Sequence, residues 1–211
     1  MNVRETLLGL LAAGLIAFAG SAVGGADKSV PPVSTVAANT DPLQVPPAGF
    51  VLQTLDVIDG LIARPKDWYY QSGSTPGGRT WIIAKEDPAK GPYETGLRIQ
   101  LIAGIHKKTG RTPEVFVRDF LTGKVTSAKA LSTCGETSVG DFERLCVEVI
   151  ENFALQGPAK PFHVGYTGFW AREGDLVVIT TFGAPADQWE DVRHAGEVMD
   201  HFRLLGKNAG K

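Results

Sequence analysis

The sequence predicts an α/β protein of the α+β type, in which helices cover both faces of a largely antiparallel sheet as an α/β/α sandwich. Strand periodicity dominates the chain after residue 50, and helical spacing occurs in only two segments. Short turn-rich links join successive strands, as antiparallel neighbours require. Leu176–Ile179 is apolar on both faces, which predicts a central strand covered from both sides.

The first predicted elements are strands. Val51–Ile58 and Leu61–Ala63 are apolar runs on either side of the dipeptide Asp59-Gly60. This dipeptide is typical of a tight hairpin turn, because both residues tolerate positive φ. Arg79–Lys85 is the next strand candidate. We therefore expect an antiparallel pair followed by further strands.

The next strand is predicted from strict alternation. Arg98 and Gln100 point to one face. The apolar residues point to the other face: Leu97, Ile99, Leu101, Ala103 and Ile105. Farther along the chain, Phe162–Ala171 and Leu176–Phe182 flank the turn-rich Arg172–Asp175, which predicts another hairpin.

Two segments show helical spacing. The first begins with Thr112 as N-cap, Pro113 at the first helical position and Glu114 near the positive end of the helix dipole. The second begins near Pro185 and places one apolar stripe on the core side. The stripe consists of Trp189, Val192, Ala195, Met199, Phe202 and Leu205.

Residues 1–26 read as a signal peptide, with Arg4 in a short polar start, an apolar run and small residues at the cleavage region. Residues 27–47 read as a proline-rich flexible linker, residues 48–206 as one domain and residues 207–211 as a disordered tail. The prediction is a periplasmic or secreted protein. The alternative is a membrane-anchored protein that retains its apolar leader.

Export makes a disulfide the first hypothesis for the two cysteines, Cys134 and Cys146. Lys129–Cys134 can pair with Phe142–Ile150 as a hairpin whose turn lies near Gly140. If the cysteines face each other, Thr133 faces Val147 and Leu131 faces Val149, which places apolar residues on one face. We expect this bridge to be structural.

Charge excludes some partners. The chain has 21 Lys and Arg against 23 Asp and Glu, a net charge of -2, and the basic residues are spread along the chain. Nucleic acid requires a concentrated basic face, so no nucleic-acid partner is expected. A membrane partner is expected only if the leader is retained.

No segment predicts a catalytic residue, a metal site or a cofactor. Gly104–Thr112 has too many residues between its glycines for a phosphate-binding P-loop and reads as a basic connecting loop. His194 and His201 lack the spacing of a helical zinc motif and read as part of a solvated helix face. A Gly-x-Ser-x-Gly nucleophile elbow is absent from the sequence.

Aromatic residues form the candidate partner-binding surface. Trp68, Tyr69 and Tyr70 are consecutive and precede the glycine- and serine-rich loop Ser72–Gly78. Neighbouring strand residues point to opposite faces, so these side chains cannot all enter one core. We name Tyr69 and Tyr70 as candidate partner-binding residues.

Several features of the layout occur together. They are Pro65-Lys66-Asp67-Trp68 at the end of an early strand, the extended Gly96–Ile105, the helix from Thr112, and the last helix after Phe182-Gly183-Ala184-Pro185. From about Phe50 to Leu205, this layout resembles the PsbP-like fold of an extrinsic photosystem II subunit and a Ran-binding import factor. The resemblance implies a domain that binds partners without catalysis.

The sequence therefore predicts an exported, non-catalytic domain that binds a protein or other cell-envelope component. Two alternatives stay open. One is an exported, hydrolase-like enzyme whose site is dispersed along the chain. The other is a small-ligand carrier with a deep apolar cavity between sheet and helix.

Overall fold

The structure, a computed structural model, describes residues 43–58, 60–75, 77–155 and 157–204. The predicted signal peptide, most of the predicted linker and the predicted tail lie outside these residues. The described strands are β1 Phe50–Leu55, β2 Gly60–Pro65, β3 Tyr69–Thr75, β4 Gly78–Ala84, β5 Gly96–Ala103, β6 Lys129–Val139, β7 Phe142–Phe153, β8 Lys160–Ala171, β9 Leu176–Pro185 and β10 Phe202–Arg203. The described helices are α1 Ile105–Thr109, α2 Pro113–Ser127 and α3 Trp189–Met199.

The strands form two antiparallel sheets. The larger sheet has seven strands in the order β3-β4-β5-β9-β8-β7-β6, and the smaller sheet has the order β1-β2-β10. Strand β9 lies in the middle of the larger sheet, and both Val177 and Val178 are 0% exposed although they point to opposite faces. The predicted central strand is therefore confirmed.

Layers cover both faces of the larger sheet, as predicted. On one face, Val117 and Leu121 of α2 pack over β7, β8 and β9. On the other face, α3 and the smaller sheet enclose a core that includes Trp81 and Phe182. Gly196 lets α3 approach closely, because a Cβ there would lie 2.5 Å from the Phe182 ring.

Helix α2 covers only half of its face. It packs on β6, β7, β8 and β9, whereas β3, β4 and β5 extend beyond it. We define the open face as the surface of these three strands on the α2 side of the sheet, formed by residues that the structure describes. It consists of Tyr69, Gln71, Thr80, Ile82, Arg98 and Gln100.

The β1–β2 hairpin is confirmed, but its turn differs from the prediction. Strand β1 ends at Leu55, which pairs with Gly60, so residues 56–58 belong to the turn rather than to the strand. The positive φ of 76° is at Val57, rather than at the predicted Gly60. Asp59 lies outside the described residues.

The β6–β7 hairpin is also confirmed, with one error in its register. Cys134 faces Cys146 and Thr133 faces Val147, as predicted. A bulge between Ala130 and Ser132 then shifts the pairing, so Ala130 rather than Leu131 faces Val149. The prediction for Leu131 was wrong because an inserted residue reverses the faces of all residues beyond it.

The two predicted helices are confirmed, but the second is shorter than the stripe suggested. Helix α3 ends at Met199, and Phe202 pairs with Ile62 of β2 as part of β10. Leu205 lies outside the described residues. Thr112 caps α2 as predicted, because its hydroxyl accepts the Val115 N–H.

The segment before α2 is helical rather than a loop. Strand β5 ends at Ala103, and Ile105 opens the short helix α1 with its side chain buried. Gly104 and Gly110 flank α1 in left-handed conformation, with φ of 72° and 70°. Glycine adopts this conformation readily because it has no Cβ, which explains how the chain turns twice in so short a segment.

Candidate functional site

Cys134 and Cys146 are directly opposed on β6 and β7 and are disulfide-bonded, with their Cα atoms 5.1 Å apart. Cys146 pairs in register with Thr167, and Thr167 with Thr180. This row lies on the α3 side of the sheet. The bridge thus ties the edge strand β6 to the sheet beside helix α3.

A groove of about 340 Å³ lies beside the bridge, between α3 and the sheet. Its lining includes Cys146, Thr167, Thr180, Phe182 and Trp189. Apolar surface predominates in this lining, with the threonine hydroxyls beside the aromatic rings. The groove is partly open to solvent, whereas the small-ligand carrier hypothesis predicts a deep cavity between sheet and helix.

The charged groups that line the groove pair with one another or with their neighbours. Arg144 donates to Asp200 at 2.6 Å, which links β7 to the end of α3. Exposed Arg193 lies 3.4 Å from Glu190 and 3.5 Å from Glu197 along α3. The charged side chains named here are therefore each paired with a side chain of opposite charge.

One cluster beside the groove contains a serine, a carboxylate and an imidazole. The Ser132 hydroxyl donates to Glu148 at 2.9 Å, and His163 Nε2 lies 3.1 Å from the same carboxylate. In a Ser-His-Asp or Ser-His-Glu triad, the imidazole lies between the serine hydroxyl and the carboxylate and accepts the hydroxyl proton. Here the carboxylate lies between the other two groups, so the arrangement orders the strands rather than activating the hydroxyl.

His163 also positions the start of α3. Its ring stacks on Trp189 with centroids 3.8 Å apart and an interplanar angle of 16°. Trp189 contacts Phe182 as well, at 5.5 Å between ring centroids. No local pattern in the sequence predicts this stack, because the two residues belong to a strand and a helix that only the tertiary fold brings together.

The two tyrosines of the candidate partner-binding surface have different environments. Tyr69 lies on the open face, and 44% of its surface is exposed. Tyr70 points to the opposite face and packs against the core of α3 and the smaller sheet. Tyr69 is therefore exposed, whereas Tyr70 is partly buried.

Tyr70 belongs to a hydrogen-bond network around Asp56. The Tyr70 hydroxyl donates to Asp56 Oδ1 at 2.6 Å, and Ser72, Arg79 and Trp81 also donate to this carboxylate. These bonds, led by that from Tyr70, lower the pKa of Asp56. Burial, followed by the bond to Asp56, raises the pKa of Tyr70 to about 12. The network joins the two sheets.

The open face has a different character from the groove. Arg98 lies between Ile82 on β4 and Thr181 on β9 in the register of the sheet. The residues at its centre are half-buried although they belong to inner strands of the sheet. Exposed Tyr69 lies at the edge of the same surface. The open face thus combines an aromatic ring, an aliphatic side chain and a guanidinium.

The other candidates from the sequence do not form a site. His194 is exposed on α3, and His201 lies beyond the end of that helix. Within the described ranges, no group of three or more His, Cys, Asp or Glu side chains is arranged to hold a metal ion. The same part of the chain has no helix with the length and apolar character needed to cross a membrane.

The fold and these sites define an α+β domain with one bonded cysteine pair, a charged groove and an open sheet face. No protein-family model and no curated protein sequence matches the chain. The chain is similar to the solution structure of cyanobacterial PsbP (CyanoP) from Synechocystis sp. PCC 6803, at 10% identity and a TM-score of 0.44. The match covers 76% of this chain and 95% of that one. That protein belongs to the family whose layout this sequence resembles.

Two crystal structures are also similar. One is LpqN, a protein involved in cell envelope biogenesis of Mycobacterium tuberculosis, at 12% identity and a TM-score of 0.41, with 74% of this chain and 91% of that chain covered. The other is a protein from Bacteroides thetaiotaomicron VPI-5482, at 15% identity and a TM-score of 0.40. That match covers 72% of this chain and 47% of the other, so the chain spans about half its length.

Proposed function

We propose that this chain is an exported, non-catalytic binding domain whose partner, a protein or other cell-envelope component, docks on the open face. The observation that carries the proposal is that α2 covers only β6–β9, which leaves Tyr69 exposed and Ile82 and Arg98 partly exposed on the other half of the same face. Aromatic side chains and arginine dominate the binding energy of many interfaces.

The location outside the cytoplasm is part of the proposal. The bond between Cys134 and Cys146 supports it, because disulfides persist mainly in oxidising compartments. The signal peptide over residues 1–26 stays a prediction. If the leader is retained, the same domain would act while anchored to the membrane.

Affinity capture from an envelope extract of the source organism tests the proposal. We expect the wild-type chain to retain a partner that Tyr69→Ala loses. Val115→Ala is the matched control, because Val115 is 43% exposed but belongs to α2 and not to the open face. Tyr70 is left unchanged because it supports the fold. Equal recovery of the same proteins by all three chains would contradict the proposal.

A second candidate function is the binding of a small ligand in the groove. The supporting observation is its volume of about 340 Å³ with Trp189 and Phe182 beside the hydroxyl-bearing Thr167 and Thr180, a size and lining found in small-molecule sites. An anilinonaphthalene sulfonate probe tests this candidate. Thr180→Leu, which fills the groove, is expected to abolish binding of the probe, and unchanged binding would exclude the groove as its site.

A further inference from the structure

We propose that Arg98 is the anchor of the open face and binds a carboxylate of an extended acidic segment of a protein partner. This inference rests on the proposed function and specifies the chemistry of the partner. Arginine suits the role because its planar guanidinium binds a carboxylate through two parallel hydrogen bonds.

The three strands that form the open face carry positive charge without any negative charge. Strands β3, β4 and β5 contain no Asp or Glu, and their only charged residues are Arg79 and Arg98. Arg79 points to the opposite face, where it pairs with Asp56. Over the described residues, no carboxylate is in ion-pair contact with Arg98. A partner that supplies a carboxylate would complement this charge.

The side chain of Arg98 lies in a partly desolvated position. Arg98 is half-buried on an inner strand. Burial raises the pKa of Tyr93 and that of Tyr166, and the positive charge of Arg98 acts in the opposite direction on both. In the register of the sheet, Arg98 pairs with Thr181 and Thr181 pairs with Tyr166, so Arg98 lies in the same row as the buried Tyr166. This partly desolvated setting strengthens a charge-assisted hydrogen bond relative to one in bulk water.

The carboxylate of Glu151, on the α2 side of the same sheet, already has its own partners. Glu151 accepts from the Tyr166 hydroxyl at 2.7 Å and from Lys124 at 3.1 Å. The ammonium of Lys124 also lies 4.4 Å from the centroid of the Tyr166 ring. This cluster links α2 to the sheet. Glu151 therefore already has its hydrogen-bond and ion-pair partners within the domain, and Arg98 remains available for a partner.

The rest of the open face favours a polypeptide. Gln71, Thr80 and Gln100 offer amide and hydroxyl groups that can bond to peptide groups, while Tyr69 and Ile82 offer apolar contacts. A single guanidinium on this surface matches the single charge of a carboxylate. Anionic membranes are usually bound by clusters of basic residues, and the strands of the open face carry only Arg98 on that side.

Selection from a random nonapeptide display library tests the inference. The library is selected in parallel against the full-length wild-type chain, Arg98→Gln, Arg98→Lys and Tyr69→Ala. Arg193→Gln is the matched control, because Arg193 is exposed on α3 near the groove. We expect Asp or Glu to be enriched at one peptide position with wild type and the control. Peptides selected on wild type should bind Arg98→Gln about tenfold or more weakly.

The variants distinguish failure of the inference from failure of the proposed function. Arg98→Lys keeps the positive charge but lacks the planar guanidinium that donates two parallel hydrogen bonds, so this variant should retain only part of the affinity for the selected peptides. Peptides that lack an acidic residue, yet require Tyr69, would overturn the inference and leave the proposed function standing. Selection that is equal on wild type and Tyr69→Ala would overturn both. Arg98-dependent binding to phosphatidylglycerol vesicles without acidic peptides would assign the face to lipid and overturn the inference.

Discussion

The Tyr70 hydroxyl donates a 2.6 Å hydrogen bond to Asp56 Oδ1, and this bond joins the two sheets of the domain. Asp56 follows β1 of the smaller sheet, while Tyr70 belongs to the edge strand β3 of the larger sheet. The adjacent Tyr69 lies on the other face and makes no part of this network. Two consecutive tyrosines therefore have separate roles in the structure.

Tyr70→Phe should destabilise the fold. Deletion of the hydroxyl removes a hydrogen bond to an ionised carboxylate, and because Asp56 is partly exposed we expect a loss of about 1 kcal/mol in the free energy of unfolding. Urea denaturation of both proteins measures this change. Tyr69→Phe serves as the control and should change the free energy by less than about 0.5 kcal/mol. Equal effects of the two substitutions would contradict the separate roles.

The stabilising effect of Asp56 should depend on pH. The pKa of Asp56 is lowered in the folded state from its ordinary value of 3.8, chiefly by the Tyr70 hydrogen bond. A lowered pKa stabilises the folded state above the ordinary pKa, and this stabilisation disappears as the pH falls through the folded-state pKa. The difference in unfolding free energy between wild type and Asp56→Asn should therefore be constant from about pH 7 to pH 5 and shrink below about pH 4. A difference that grows in acid would refute this explanation.

Loss of the disulfide should destabilise the β6–β7 hairpin. The bond between Cys134 and Cys146 closes a short loop, with a sequence separation of 12. We expect the Cys134→Ser, Cys146→Ser double variant to lose about 2–4 kcal/mol of unfolding free energy, because the open loop has more freedom when the chain unfolds. Denaturation of the oxidised and reduced wild type gives the same comparison without mutation. Identical stability in all forms would show that the bond contributes nothing.

The bulge in β6 should be visible in a pair of alanine substitutions. Leu131 is 44% exposed, whereas Val149, its predicted partner, is 0% exposed. We expect Leu131→Ala to change the unfolding free energy by less than about 0.5 kcal/mol. Val149→Ala should cost about 2 kcal/mol through lost burial and a small cavity. A large effect at Leu131 would instead support the register without a bulge.

These results show which features of the fold could be predicted from local patterns. Alternation and turn residues depend on neighbouring positions, so the β1–β2, β6–β7 and β8–β9 hairpins and the central strand β9 were predicted correctly. Residues 72–75 were predicted as part of a loop but belong to strand β3, because Gly and Ser give no strand signal of their own. The bulge at Leu131 has no comparable local signal, and it changes the face of each residue beyond it. Phe202 continues a helical stripe in the sequence, but its place in β10 depends on pairing with the distant Ile62.

The candidate site could be predicted only in part, for the same reason. The alternation that placed Arg98 and Gln100 on one face was visible in the sequence. Tyr69 and Tyr70 were named together as partner-binding residues, but they lie on opposite faces of β3. The extent of the sheet covered by α2 depends on how the helix packs, so the open face could not be located from the sequence. Its two ends, Tyr69 and Arg98, belong to strands that a third strand separates.

Site-specific photo-crosslinking tests the proposed binding surface most directly. One preparation carries p-benzoylphenylalanine in place of Tyr69, and the control preparation carries it in place of Leu131. Leu131 is a matched control because both residues are 44% exposed and lie at opposite edges of the larger sheet. Both preparations are irradiated in an envelope extract of the source organism. We expect a discrete crosslinked adduct from position 69 and none from position 131. The same adduct from both positions, or an adduct only from position 131, would contradict binding at the open face.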